Sequence, residues 1–184
     1  GLQLLEQGWE CIAVRRNPPA DPLLNPFYPT KQAQHGSWQW LAIDLTSNQQ
    51  IKWLPTDIDA VVYTPAPKIA AQTKVAAQML ASARPTAQSI TQQRIERYQS
   101  LYQQGLEQTL QYLLDNRVAA NPLLWLQVSS TSVYAQHQGE WVDETSVAEP
   151  TSPTAQWIRH AEQVLHQQAD ARLLQPCIVR LTGL

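Results

Sequence analysis

Five short runs rich in β-formers alternate along this chain with stretches whose apolar residues recur at helical spacing, and that alternation constrains the fold more than any other feature. The runs occupy residues 9–14, 38–43, 60–64, 123–128 and 177–181, each short enough to be a buried strand of a parallel sheet. Between the third and fourth runs, Tyr102, Leu106, Leu110, Leu113 and Leu114 form one apolar stripe, which predicts a helix over residues 98–116. Ile158, Ala161, Val164 and Leu165 mark a second helix over residues 154–168, with Pro153 where a helix can begin. Residues 1–8 read as the last turns of another helix, closed by Gly8, which has no Cβ to oppose a positive φ. This order predicts an α/β fold, an open doubly wound parallel sheet with helices on both faces. A closed barrel is disfavoured because the connections vary in length and no eightfold repeat is present.

A chain of 184 residues fits one domain. With 13 Lys plus Arg against 15 Asp plus Glu, its net charge is −2, and no long basic run suits nucleic acid or a membrane surface. The expected partner is a small-molecule substrate. No apolar run approaches the ~18 residues of a membrane span, and no charged leader precedes an apolar stretch. Cys11 and Cys177 stand alone, with no disulfide framework or metal-ligand spacing, which suits a reducing, cytoplasmic setting. Pro18, Pro19, Pro22, Pro26 and Pro29 predict a loop from Asn17 to Gly36. Because the chain opens within a helical pattern and without Met, the expectation is that something precedes Gly1.

In open α/β sheets ligands bind outside the carboxyl ends of the strands, so the residues following each run carry the functional reading. Arg15-Arg16 follows the first run, and a guanidinium there can pair with a ribose 2′-phosphate; the alternative is a pair of solvated charges. Asp44-Leu45 follows the second, where the carboxylate can accept a bond from an adenine amino group or cap the polar stretch after it. Thr64-Pro65-Ala66 follows the third and offers small or imino residues past which a ligand can lie closely. The fourth and most apolar run ends in Ser129-Ser130-Thr131-Ser132, a strand delivering hydroxyls at its carboxyl end. His160 and His166 are six apart on different helix faces, so no metal site is expected, and no G-x-S-x-G elbow supports a hydrolase. The basic stretch from Lys68 to Arg97 reads as an inserted helix, either a solvated face or one that covers the ligand as a lid or contributes to phosphate binding.

Val128-Ser-Ser-Thr-Ser-Val-Tyr134, followed by Asp143-Glu-Thr-Ser146 and by Glu149-Pro-Thr-Ser-Pro153, resembles the NAD-dependent epimerase/dehydratase family of extended short-chain dehydrogenases/reductases. The resemblance covers nearly the whole chain. It implies that residues 1–184 form a Rossmann-like NAD(P)-binding domain truncated at both ends, with the glycine-rich phosphate loop upstream and a smaller substrate domain downstream. It further implies Ser130 as a catalytic hydroxyl on the substrate, with Thr131 or Thr154 as partners, and Tyr134 as a packing residue. Cofactor contacts fall on Arg15, Arg16, Asp44, Leu45, Thr64, Pro65, Ala66 and Ser129; the arginines favour NADP, with NAD the alternative.

Counting back from Glu162, the family's proton-relay Tyr and its Lys partner fall at Thr154 and Ile158, and a frequent Asn falls at Gly105. Neither Thr154 nor Ile158 can ionise, so the chain resembles an atypical branch of the family. The implied function is an NADP-preferring, epimerase-like oxidoreductase acting on a polar small molecule such as a nucleotide sugar. The rival is a catalytically silent cofactor sensor or protein-interaction module. In many relatives two flanking helices form a homodimer, which the resemblance extends to residues 98–116 and 154–168.

Overall fold

The computed structural model describes residues 2–18, 36–67, 86–118, 120–136, 138–170 and 172–182. Most of the expected proline loop and the first part of the basic stretch, residues 68–85, lie outside the described residues. The chain divides into two compact units, Gly1–Leu54 and Pro55–Leu184.

In the first unit helix α1 (Leu2–Glu6) ends at Gly8, whose φ of 87° is the positive value expected of a helix stop. Strands β1 (Glu10–Arg15) and β2 (Ser37–Ala42) pair in parallel, from Glu10 opposite Ser37 to Arg15 opposite Ala42. Gly36 enters β2 against the backbone of the preceding helix and its exit: a Cβ there would lie 2.6 Å from the Trp9 carbonyl oxygen and 2.7 Å from that of Leu5. Leu5, Ile43, Ile51 and Leu54 are buried, Ile51 from a short 3-10 turn over Gln50–Trp53. Both strands end or begin one residue away from the expected bounds. Arg15 is thus the last paired residue of β1 rather than the first beyond it, because its carbonyl accepts from the Ile43 N–H at 3.3 Å and continues the ladder.

The second unit is a parallel sheet in the order β3-β4-β5, with β3 at Ala60–Tyr63, β4 at Leu123–Ser130 and β5 at Leu174–Leu181. Between β3 and β4 run α2 (Ala87–Gln99), one wide π turn (Ser100–Gly105) and α3 (Leu106–Asn116). Helix α4 (Pro153–Gln168) joins β4 to β5 after the Ser152 hydroxyl caps its first turn by accepting from the Ala155 N–H. The helix expected over residues 98–116 thus runs on from a helix in the basic stretch, where an inserted helix was expected; α2 starts at the Thr86 cap, where the threonine hydroxyl accepts from the Ser89 N–H. Helix α2 buries no residue, so no apolar stripe marks where it starts and ends.

The stripe residues Leu106, Leu110 and Leu113 are buried, as are Leu123, Trp125 and Leu174 of the sheet and Ala161 and Leu165 of α4. The described helices meet the sheet face bearing Tyr63, Trp125, Gln127 and Ser129. The Tyr63 hydroxyl donates to the Leu101 carbonyl, and the Ser129 hydroxyl donates to Glu162 of α4. Val62, Leu124 and Cys177 alternate onto the opposite face and are exposed. No helix among the described residues is long and apolar enough to cross a membrane.

Candidate functional site at the strand ends

In the first unit, Arg16 and Asp44 form a forked ion pair. Arg16 Nε lies 2.9 Å from Asp44 Oδ2, and Nη2 donates to Oδ1 at 3.2 Å. Asp44 is fixed from its other side as well: Oδ1 accepts from the Thr46 N–H at 3.0 Å and the Thr46 hydroxyl at 2.7 Å, while the Asp44 N–H donates to Gln50 Oε1. Burial pushes the Asp44 pKa up, but the Thr46 bonds and the Arg16 charge outweigh that push and hold it below the ordinary value. Of the two roles open to Asp44, the structure finds its carboxylate closing its own turn and clasping Arg16. Arg15 is exposed, and its side chain has no bonding partner among the described residues. Leu45 is half-buried in the turn.

In the second unit, Thr64 and Ala66 follow β3 as exposed residues, and the Pro65 carbonyl accepts from the Tyr102 hydroxyl at 3.4 Å. The π turn thereby docks on the end of β3 through Tyr63 and Tyr102. Burial raises both phenols, Tyr102 to about 12, so neither is a proton acceptor near neutrality. Gly105 closes this turn, and its carbonyl accepts from the buried Thr109 hydroxyl at 2.6 Å.

The hydroxyls ending β4 face different ways. Ser130 is 9% exposed, and its Oγ accepts from the Ser132 N–H at 3.1 Å, capping the single 3-10 turn of Thr131–Val133. Thr131 and Thr154 are half-buried. Ile158 is 6% exposed and belongs to the core, so its side chain places no polar group at the strand ends. Ser129, expected at the cofactor, is buried and donates to Glu162 Oε1 at 2.6 Å.

Glu162 is the centre of a charged network. Besides Ser129, its carboxylate accepts from Arg159 Nη1 at 2.7 Å and from Arg180 Nε and Nη2 at 2.9 and 2.8 Å. Arg180 also donates to the Tyr134 hydroxyl at 2.8 Å and lies 4.8 Å from that ring's centre, and Tyr134 donates in turn to the Asp143 carbonyl. Burial drives the Glu162 pKa up, while the bonds from Arg180, Ser129 and Arg159 more than reverse it; the same carboxylate raises the Arg180 pKa. The signals were present in sequence: a carboxylate one residue from Ala161 on the apolar stripe of a helix, and an arginine inside the apolar run 177–181.

A polar cleft of about 480 Å³ opens beside this network, lined by residues 144–149 together with Arg159, Gln163, His166 and Arg180. None of the expected catalytic or cofactor residues lines it. His160 Nε2 lies 2.8 Å from Glu107 Oε1 and ties α4 to α3. Among the described residues, no group of three or more His, Cys, Asp or Glu is placed to hold a metal ion.

No protein-family model matches the sequence, and no curated protein matches it either. Solved structures do. The chain is similar to MoeE5 in complex with UDP-glucose and NAD, at 20% identity and a TM-score of 0.63, over 97% of this chain and 48% of that one. It is similar to UDP-glucuronic acid 4-epimerase from Bacillus cereus in complex with NAD, at 16% identity and a TM-score of 0.62, covering 99% of this chain and 52% of that one. A third structure, RMD from Pseudomonas aeruginosa complexed with NADPH, gives 16% identity and a TM-score of 0.60, covering 96% and 53%. At these identities the likeness is one of fold: the parallel α/β fold these structures share, as the Ser-Ser-Thr-Ser-Val-Tyr resemblance implied. The chain spans about half the length of these structures.

Proposed function

We propose that the chain is the nucleotide-binding part of an NADP-preferring, epimerase-like oxidoreductase acting on a polar small molecule such as a nucleotide sugar. The observation that carries this reading is the chemistry of the strand ends on this fold. A basic pair closes β1, small residues follow β3, and Ser130-Thr131 supplies hydroxyls at the end of β4. These donors fit a phosphorylated dinucleotide, which when bound supplies hydride transfer. In the first unit, the Arg15-Arg16 end of β1 would serve the phosphate of the adenine ribose, with Asp44 and Leu45 toward the adenine; in the second, Thr64, Pro65 and Ala66 are the residues proposed for cofactor contact. Ser129 supports this edge through Glu162, and Ser130, with Thr131 or Thr154, would hydrogen-bond the substrate oxygen.

The proton relay does not fit. Thr154 has no accessible ionisation and Ile158 is in the core, so no proton step is assigned to either. That observation supports a second reading, a cofactor-binding sensor or interaction module without turnover. Comparing Ser130→Ala with the parent across nucleotide sugars, with cofactor binding measured in parallel, separates the two. The enzyme reading expects turnover in the parent and a loss of about 100-fold in the variant. Intact binding without turnover of any sugar in the parent selects the sensor.

A further inference from the structure

Arg15 and Arg16 are neighbours in sequence but not equivalent in structure. Arg16 directs Nε and Nη2 into the Asp44 carboxylate, and that carboxylate is itself anchored by two bonds from Thr46. The pair joins the carboxyl ends of β1 and β2, and Asp44 balances the Arg16 charge. Arg15, one residue earlier and exposed, has every side-chain N–H without a partner among the described residues. A phosphomonoester captured by Arg16 would have to compete with a forked, charge-assisted pair; one captured by Arg15 displaces only water.

We infer that the two arginines divide the work: Arg15 binds the 2′-phosphate of the cofactor, and Arg16 is a positioning residue that Asp44 holds in place to fix the ends of β1 and β2. This inference rests on the NADP reading above and decides which side chain discriminates. It also assigns Asp44 a role beyond the adenine contact: its charge keeps Arg16 from serving as a second phosphate ligand.

The test is calorimetric titration of the full chain with adenosine 2′,5′-bisphosphate and with adenosine 5′-monophosphate, two probes that differ only in the 2′-phosphate. The ratio of their affinities is compared among the parent, Arg15→Ala, Arg16→Ala and Asp44→Asn, with melting temperature measured for each. The parent is expected to favour the bisphosphate by at least about tenfold, the scale of one charge-assisted contact. Arg15→Ala brings the ratio close to one without lowering the melting temperature. Arg16→Ala lowers the melting temperature and keeps the ratio within about threefold of the parent. Asp44→Asn, nearly isosteric, releases Arg16 and raises the ratio.

A collapse of the ratio in Arg16→Ala, or its survival in Arg15→Ala, overturns the division of roles while leaving the NADP reading intact. A parent ratio of one overturns both the division and the NADP preference. Failure of the parent to bind either probe overturns the nucleotide reading itself, and the inference with it.

Discussion

Replacing Glu162 by Gln removes one charge and almost no volume, and the structure indicates how much stability should go with it. The carboxylate side chain is 0% exposed and faces two guanidinium groups, Arg180 at 16% and Arg159 at 26% side-chain exposure. It accepts from Ser129, Arg159 and twice from Arg180. A carboxamide has one oxygen, and its NH2 group would face donors where the second oxygen now accepts. Breaking a buried ion pair by removing one partner costs about 3–5 kcal/mol, and the partial exposure of the arginines places this case near the lower end, at about 3 kcal/mol.

For a chain of this size, that cost corresponds to a fall in melting temperature of about 6–12 °C. The assay is urea unfolding at pH 7, read as a lower midpoint at unchanged slope. The sign of the pH dependence follows from the depressed Glu162 pKa. Its stabilisation is fully present above the unfolded glutamate value of about 4.3 and is lost as pH falls through the lower folded value. The gap between parent and variant should therefore be constant from pH 7 to about 5 and close at more acidic pH. A loss below about 1 kcal/mol at pH 7, or a gap indifferent to acid, would show that the Glu162 charge is not held by its guanidinium partners.

Three further substitutions probe separate parts of the fold. Tyr134→Phe deprives Arg180 of an acceptor and the Asp143 carbonyl of a donor, and should cost about 1.5–3 kcal/mol in the same denaturation assay. Gly36→Ala presses a methyl group against the Trp9 and Leu5 carbonyl oxygens, which are backbone and cannot rotate aside; a loss of at least about 2 kcal/mol is expected, with faster amide exchange in β1 and β2. Ser152→Ala removes the α4 cap and should cost about 1 kcal/mol, whereas Ser152→Asp should retain most of it.

The elements that pack were legible in sequence because burial imposes a period. Leu106, Leu110 and Leu113 announce a helix face, and the run ending in Ser129-Ser130 announces a strand entering the core. Helix α2 was anticipated as a helix within the basic stretch, but its bounds were not legible for the opposite reason: it buries nothing, and its start depends on a single threonine cap. The strand-end residues were found from the rule that ligands gather there, but sequence treats Arg15 and Arg16 as alike. Only coordinates distinguish them, because the Asp44 carboxylate that separates them lies 28 residues from Arg16 along the chain. Ser129 illustrates the same limit: its hydroxyl was read toward a ligand, whereas its partner Glu162 lies 33 residues away in sequence.

Direct titration with NADPH and with NADH tests the proposed binding of a phosphorylated nicotinamide dinucleotide most simply. Saturable binding of one NADPH per chain, with NADH weaker by about tenfold or more, is the expected result. Absence of binding for both cofactors at millimolar concentration would contradict it.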